Sequence, residues 1–309
     1  MQIDNSKRKI LIIGANGFLG GSILQLQDNQ DIQDKNFFLI AADIDNSFIS
    51  KEIPFYYIDI TNPEDVMRKI IKISPEVVVL TAAMTNVDKN EIYKELATKI
   101  NTDGPKNIIK ACEKVNSKLV FISTDFVFDG ISKNGNYNES DVANPLNHYG
   151  KTKYQAELAI MHSKIEYLIC RTAVLYGWNK NKTNFITWVF ETLQKKERVS
   201  LVKDQVNNAT FVRNLAEILL KLISRETQGI LHTAGDSSYS RYEMGIICAD
   251  IFNLDKNLIK PLDNLQQKAE RPKNVSLDVS KLKNILTSEI KIYNLFEGLT
   301  YMKNHQIRR

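Results

Sequence analysis

Tyr149 and Lys153 stand four residues apart in "HYGKTKYQAE" (148–157). On a helix such residues lie one above the other on the same face, so a phenol and an ammonium can reach a single small target. Upstream, "FISTDFVFDG" (121–130) brings Ser123, Thr124 and Asp125 together at the end of an apolar run. Reduction of a ketone needs a hydride donor, a proton donor for the developing alkoxide and a hydrogen bond that polarises the carbonyl. Tyr149 offers the proton and Thr124 the polarising contact. Lys153 offers an ammonium that favours phenolate, lowering a phenol whose ordinary pKa is about 10. The Tyr-x-x-x-Lys spacing alone also fits a solvated polar helix face, so its meaning depends on the elements that carry it.

Those elements alternate between strand-like and helical stretches. "KILIIG" (9–14), "FFLIAAD" (37–43), "FYYIDI" (55–60), "EVVVLTAA" (76–83), "KLVFIST" (118–124) and "EYLICRT" (166–172) read as six strands. Helical patterns fall near 18–28, 63–73, 90–115 and 149–163, with "MTNVD" (84–88) predicting a loop before the third. The alternation predicts an α/β chain with a doubly wound parallel sheet, whose binding crevice opens at the carboxyl ends of the strands. Directly after the first strand, "GANGFLG" carries Gly14, Gly17 and Gly20. Missing side chains there allow a tight turn and let backbone N–H groups approach a pyrophosphate at the positive end of a helix. The fold expected is therefore of the Rossmann type.

The second strand ends "AADID". A carboxylate at this place accepts from both hydroxyls of an adenine ribose and repels the extra phosphate of NADP. Asp43 is the natural candidate and Asp45 the fallback. NAD(H) is favoured, and NADP(H) stays open because Lys51 is near in sequence. Asp59 can hold the adenine amino group, or cap the helix that begins near Pro63.

Composition excludes several other classes. With 309 residues, 43% of them apolar and 25% charged, the chain can bury a sizeable core, and it reads as neither disordered nor fibrous. The formal charge of +5 comes from scattered lysines, with no basic block beyond "SKRK" at the start, so nothing calls for nucleic acid. A mildly positive surface suits an anionic substrate. Cys112, Cys170 and Cys248 are odd in number and lack Cys-x-x-Cys spacing, which predicts buried thiols in a reducing compartment. The four histidines form no ligand cluster, so no metal site is expected. No signal-peptide layout and no apolar stretch of membrane-spanning length is present, and a cytoplasmic location is expected.

After residue 172 the pattern loosens. "FITWVFETLQKK" and "FVRNLAEILLKLIS" read as helices and "GILHTAG" as a strand that extends the sheet. Residues 1–172, with about 210–235, are expected to form the nucleotide-binding domain. About 173–209 and 236–309 are expected to form a smaller α/β lobe that shapes a substrate pocket over the strand ends.

The glycine loop, the Ser/Thr at the end of the fifth strand and Tyr-x-x-x-Lys, in this order, resemble an extended short-chain dehydrogenase/reductase. More narrowly, "AAMTNVDKNE", "STDFVFDG", "PLNHYGKTKYQAE" and "RPKNVSLDVSKL" are similar to the thymidine-diphosphate-4-dehydrorhamnose reductases. The likeness is dense up to "RTAVLYG" and sparse afterwards. It implies Thr124, Tyr149 and Lys153 as the catalytic trio. Gly14, Asn16, Gly17, Phe18, Leu19 and Gly20 would lie along the cofactor pyrophosphate, with Asp43 at the ribose and Asp59 and Ile60 by the adenine. It implies Ala82, Ala83 and Thr85 on the nicotinamide side, and Asn101 as a helix residue supporting the active-site end or, equally, facing solvent. Tyr149 and Lys153 would also touch the cofactor, Lys153 at the nicotinamide ribose. Residues 171–174 would pass the carboxamide through backbone groups. Thr124, Asp125, Phe126, Val174 and Arg271 would face a nucleotide-sugar substrate, Arg271 at its diphosphate.

The chain also departs from that family. Phe126 stands where the reductases carry Tyr, Val174 where they carry Trp, and "DQVNNATFV" lacks the proline of the corresponding turn. The catalytic trio survives while the sugar-facing side is altered. Two other readings follow from the same motifs. A sugar-nucleotide 4-epimerase uses the same Tyr and Lys with retained NAD. The regulatory beta subunit of methionine adenosyltransferase shares the motifs and works by binding a partner enzyme. Some relatives dimerise, so a homodimer is open too.

Overall fold

The computed structural model describes residues 7–27, 37–131, 133, 135–179, 182–287 and 289–305. Position 28, where the first helix was expected to end, and loop residues 180 and 181 lie outside them. The first half runs β1 (Arg8–Ile13), α1 (Phe18–Gln25), β2 (Phe37–Asp43), β3 (Phe55–Tyr57), α2 (Pro63–Ile73), β4 (Val77–Leu80), α3 (Val87–Ile92), α4 (Lys94–Thr98), a π-helical turn over Lys99–Asp103, α5 (Gly104–Val115), β5 (Lys118–Thr124), α6 (His148–Met161) and β6 (Tyr167–Thr172). The second half runs β7 (Leu175–Tyr176), α7 (Phe185–Gln194), β8 (Val199–Val202), β9 (Val206–Asn208), β10 (Thr210–Phe211), α8 (Val212–Ser224), β11 (Gly229–His232), β12 (Ser238–Ser240), α9 (Arg241–Phe252), β13 (Ile259–Leu262), α10 (Ser280–Leu286) and α11 (Leu295–Asn304).

Seven strands form one sheet in the order β11-β6-β5-β4-β1-β2-β3, and every pairing is parallel. This is the expected doubly wound sheet, with "GILHTAG" supplying its seventh strand. Alternation along each strand divides the core in two. Ile10, Ile12, Leu39, Val77 and Val120 face α1 and α8, while Leu11, Ile13, Ile40, Val78 and Leu119 face α2, α5 and α6. Burial on both faces explains why the strands read as unbroken apolar runs rather than alternating ones. Strand order reverses between β1 and β4, so the loops leaving those two strands diverge and open a crevice.

Several boundaries differ from the sequence expectation, among them these. β3 ends at Tyr57, before "IDI". The helix after β4 begins at Val87, inside the expected loop, because the Asn86 side chain accepts from Lys89 N and caps it there.

A third apolar cluster lies off the sheet. It packs Ile186, Val189 and Phe190 of α7, Leu201 of β8, Met244 and Cys248 of α9, and Leu295 and Leu299 of α11. All three cysteines are free and buried. Among the described residues no group of three His, Cys, Asp or Glu is placed to hold a metal, and no helix is long and apolar enough to cross a membrane.

Candidate active site

The loop after β1 is compressed against its neighbours. Gly14 adopts φ +93°, and a Cβ there would stand 2.5 Å from Ala82 N, while one on Gly20 would stand 2.3 Å from Gly14 O. Only glycine allows this turn and this approach of α1 to the sheet. The consequence is an exposed helix start. α2, α3 and α6 are capped by Asn62, Asn86 and Asn147, whereas α1 starts at Gly17 with no side-chain cap. Its first N–H groups are left for a ligand, and negative charge is favoured there.

Asp43, at the end of β2, is held by the same loop: its carboxylate accepts from Asn16 N at 2.9 Å and Ile44 N at 2.7 Å. Asp45 accepts from Asn16 Nδ2 at 2.9 Å and from both Ser47 donors, and those Ser47 bonds hold it below the usual carboxylate range. Both acids therefore fasten the loop, and both line the cavity. Asp59 accepts from Thr61 N and Oγ1 at 2.9 and 2.8 Å. The cap of α2 is Asn62, which corrects the alternative role considered for Asp59.

At the other end, β5 delivers Thr124. Its hydroxyl donates to Asp125 Oδ1 at 2.9 Å and accepts from Phe126 N at 3.2 Å. α6 brings Tyr149 to the same place, because Gly150 presses its first turn on the loop: a Cβ on Gly150 would stand 2.2 Å from Phe126 O. The Phe126 and Tyr149 rings meet edge to face, 6.2 Å between centroids. One turn further on, Lys153 is buried with Nζ 3.9 Å from the Phe121 ring centroid. Desolvation pushes Lys153 down to about 7, opposed by the charge of Glu157.

The electrostatics revise the expected pairing. Tyr149 is not lowered in this ligand-free state: desolvation, and after it the Asp125 carboxylate, raise it to about 12 against the opposing Thr124 hydrogen bond. Lys153 Nζ lies over an aromatic face, and the charge that acts on the phenol is that of the acid. Asp125 itself is pushed up to about 6 by burial, against hydrogen bonds from Thr124 and Asn207 and the charge of Arg241.

These two ends line one cavity of about 1240 Å³. Of the residues singled out from sequence, it collects Gly14, Asn16, Gly17, Phe18, Leu19, Asp43, Asp45, Asp59, Ile60, Ala82, Ala83, Thr85, Thr124, Asp125, Phe126, Tyr149, Lys153 and Val174. Val174 takes φ +39°, a left-handed conformation that strains a β-branched residue. Four residues stand elsewhere. Gly20 packs behind the loop. Asn101, buried in the π-helical turn, accepts from Met84 N at 2.8 Å and donates to Met84 O, Asn90 and Thr152, so it braces the loop after β4 from behind. That excludes its solvent-facing alternative. Arg271 does not line the cavity; it pairs with Asp88 at 3.1 Å and donates to Ala269 O at 2.9 Å. Arg171 likewise turns from the cavity to buried Glu157, 2.7 Å away, which also accepts from Ser123 at 2.5 Å.

Sequence reasoning missed two participants. Asn207 of β9 donates to Asp125 Oδ2 at 2.5 Å, and Arg241 lines the cavity. Arg241 had a legible signal: "SRYE" is a capping box, with Ser240 and Glu243 satisfying one another, which fixes Arg241 as the first residue of α9. Asn207 had none, since its contact is made between distant segments.

The open start of α1, the glycine turn, Asp43 and a cavity of this size fit a nicotinamide dinucleotide. Comparison with known proteins gives the same class. The family model described as RmlD substrate binding domain matches residues 8–301. A dTDP-4-dehydrorhamnose reductase of Aggregatibacter actinomycetemcomitans is 31% identical over 89% of this chain and 92% of its own length. Methionine adenosyltransferase 2 subunit beta of Bos taurus is 28% identical over 92% of this chain and 84% of its own length. The crystal structure of dTDP-4-dehydrorhamnose reductase from Bacillus anthracis in complex with NADP has a TM-score of 0.85 and 29% identity, covering 97% of this chain and 100% of that one.

Proposed function

Since the chain belongs to the RmlD substrate binding domain family, we propose that it catalyses the NAD(P)H-dependent reduction of a 4-keto-6-deoxy sugar carried on a nucleoside diphosphate. One observation carries this reading: Thr124, Tyr149 and Lys153 face the same cavity as the uncapped start of α1 and Asp43. A nicotinamide bound there supplies the hydride. Tyr149 protonates the new alkoxide, and its raised pKa keeps the phenol loaded with the proton it has to give. Thr124 holds the carbonyl oxygen. Lys153 reaches the nicotinamide ribose, and an acceptor there offsets its desolvation and restores its charge. The division of labour follows the chain: residues 1–172 with about 210–235 bind the cofactor, and the remainder shapes the sugar pocket.

The beta-subunit relatives support a second reading, a nucleotide-binding regulatory subunit that docks on methionine adenosyltransferase. The filled Thr124–Tyr149–Lys153 set favours the enzyme. The deciding experiment follows NADH and NADPH oxidation with a panel of 4-keto sugar nucleotides, beside capture of methionine adenosyltransferase by the purified chain. Turnover is expected; no turnover together with firm capture would reverse the choice.

A further inference from the structure

Arg241 is a cavity-lining cation of the second lobe. Its side chain is half-buried, and among the described residues no carboxylate lies within salt-bridge distance of it. Its recorded hydrogen bond is a long one, 4.0 Å, to Met244 Sδ. The guanidinium lies over the Phe185 ring, 4.9 Å from its centroid, an arrangement that holds the group against the aromatic face. Burial without an oxygen acceptor is costly for such a group, so the site holds it for something that arrives.

Its surroundings say what arrives. Arg241 lines the cavity together with Asp125 and Phe126, and the charges of Asp125 and Arg271 act on it. Arg271 already has a carboxylate partner in Asp88 and lies outside the lining, whereas Arg241 has none and lies within it. Lys182, another lining cation of this lobe, is exposed to water. A planar fork of donors, held against an aromatic ring and acted on by the charge of a second arginine, matches a phosphate group.

Resting on the reading above, we propose that Arg241, rather than Arg271, is the residue that grips the diphosphate of the nucleotide sugar, and so selects substrates carrying that group. Arg241→Gln is expected to weaken binding of plain thymidine diphosphate and uridine diphosphate about tenfold or more, measured by calorimetry. The KM for the sugar nucleotide rises in step. NAD(P)H affinity stays within about twofold, which also reports that the variant is folded. Arg241→Lys recovers part of the loss, because it restores the charge without the fork. Unchanged diphosphate affinity in Arg241→Gln, or a loss confined to Arg271→Gln, overturns the assignment. So does a wild-type protein that binds neither diphosphate. A wild type that binds diphosphates through Arg241 but turns over no 4-keto sugar would sink the reductase reading and leave this one standing.

Discussion

The two ends of the cavity are built by different means. At the glycine-loop end the contacts are main-chain ones: Gly14 against Ala82, Gly20 against Gly14, and Asp43 held by the N–H groups of Asn16 and Ile44. At the Thr124 end they are titratable side chains, buried Asp125 and Lys153 and half-buried Tyr149, each shifted by desolvation. The first end is determined by shape and tolerates little change. The second stores electrostatic cost in the ligand-free protein, and a substrate or cofactor that supplies partners can release it.

The sharpest break between the ends is Tyr149→Phe, expected to lower turnover about 10²–10⁴-fold while NAD(P)H affinity changes less than about twofold. Turnover surviving in that variant would falsify the placement of chemistry at this end. Gly14→Ala should act at the opposite end, lowering stability by about 1–3 kcal/mol in urea unfolding and cofactor affinity with it, because a Cβ meets the Ala82 backbone at a strained φ. A variant as stable as wild type would mean that the loop can yield.

Lys153→Met tests the stored cost. The folded-state pKa of Lys153, about 7, lies below the 10.5 of an ordinary lysine, so burial opposes folding fully below pH ~7 and the penalty fades as pH approaches the unfolded value. The variant should therefore melt higher than wild type at pH 6, by at least about 2–4 °C, with the gain shrinking toward pH 10. A lower melting temperature at pH 6 would mean that the aromatic contact with Phe121 outweighs the desolvation. Asp43→Ala should weaken NADH about tenfold and NADPH less; equal losses would remove Asp43 from the ribose. The smallest effect is expected of Val174→Gly, where relief of a strained φ offsets lost side-chain contact and keeps stability within about 1 kcal/mol of wild type.

What was legible in the sequence follows the same division. The sheet showed itself because strands buried on both faces must be apolar throughout, and the glycine loop because its geometry admits no other residue. Lys153 and Tyr149 were placed correctly on one helix face, yet their electrostatics were misjudged, since the phenol responds to Asp125, which is folded against it from another element. Arg271 was read from its motif alone, and its partner Asp88 comes from the start of α3, far away in the chain. Asn207 reaches Asp125 from a strand that adds nothing to the main sheet. Contacts of this kind depend on how the second lobe settles, and local pattern carries no record of that.

The late position of β11 has a consequence for how the protein is made. β6 keeps a bare edge until Gly229–His232 pairs with it, and Asn207 and Arg241 leave the ribosome well after Asp125 and Tyr149. At about 5–20 residues per second, the interval between Thr124 and Arg241 is on the order of ten seconds. During it the nascent chain presents an unpaired parallel strand and a buried-acid site that lacks its polar partners. The segment between residues 172 and 232 is thus where a growing chain is most exposed to sticking to its neighbours, and where a holding chaperone would have most to cover.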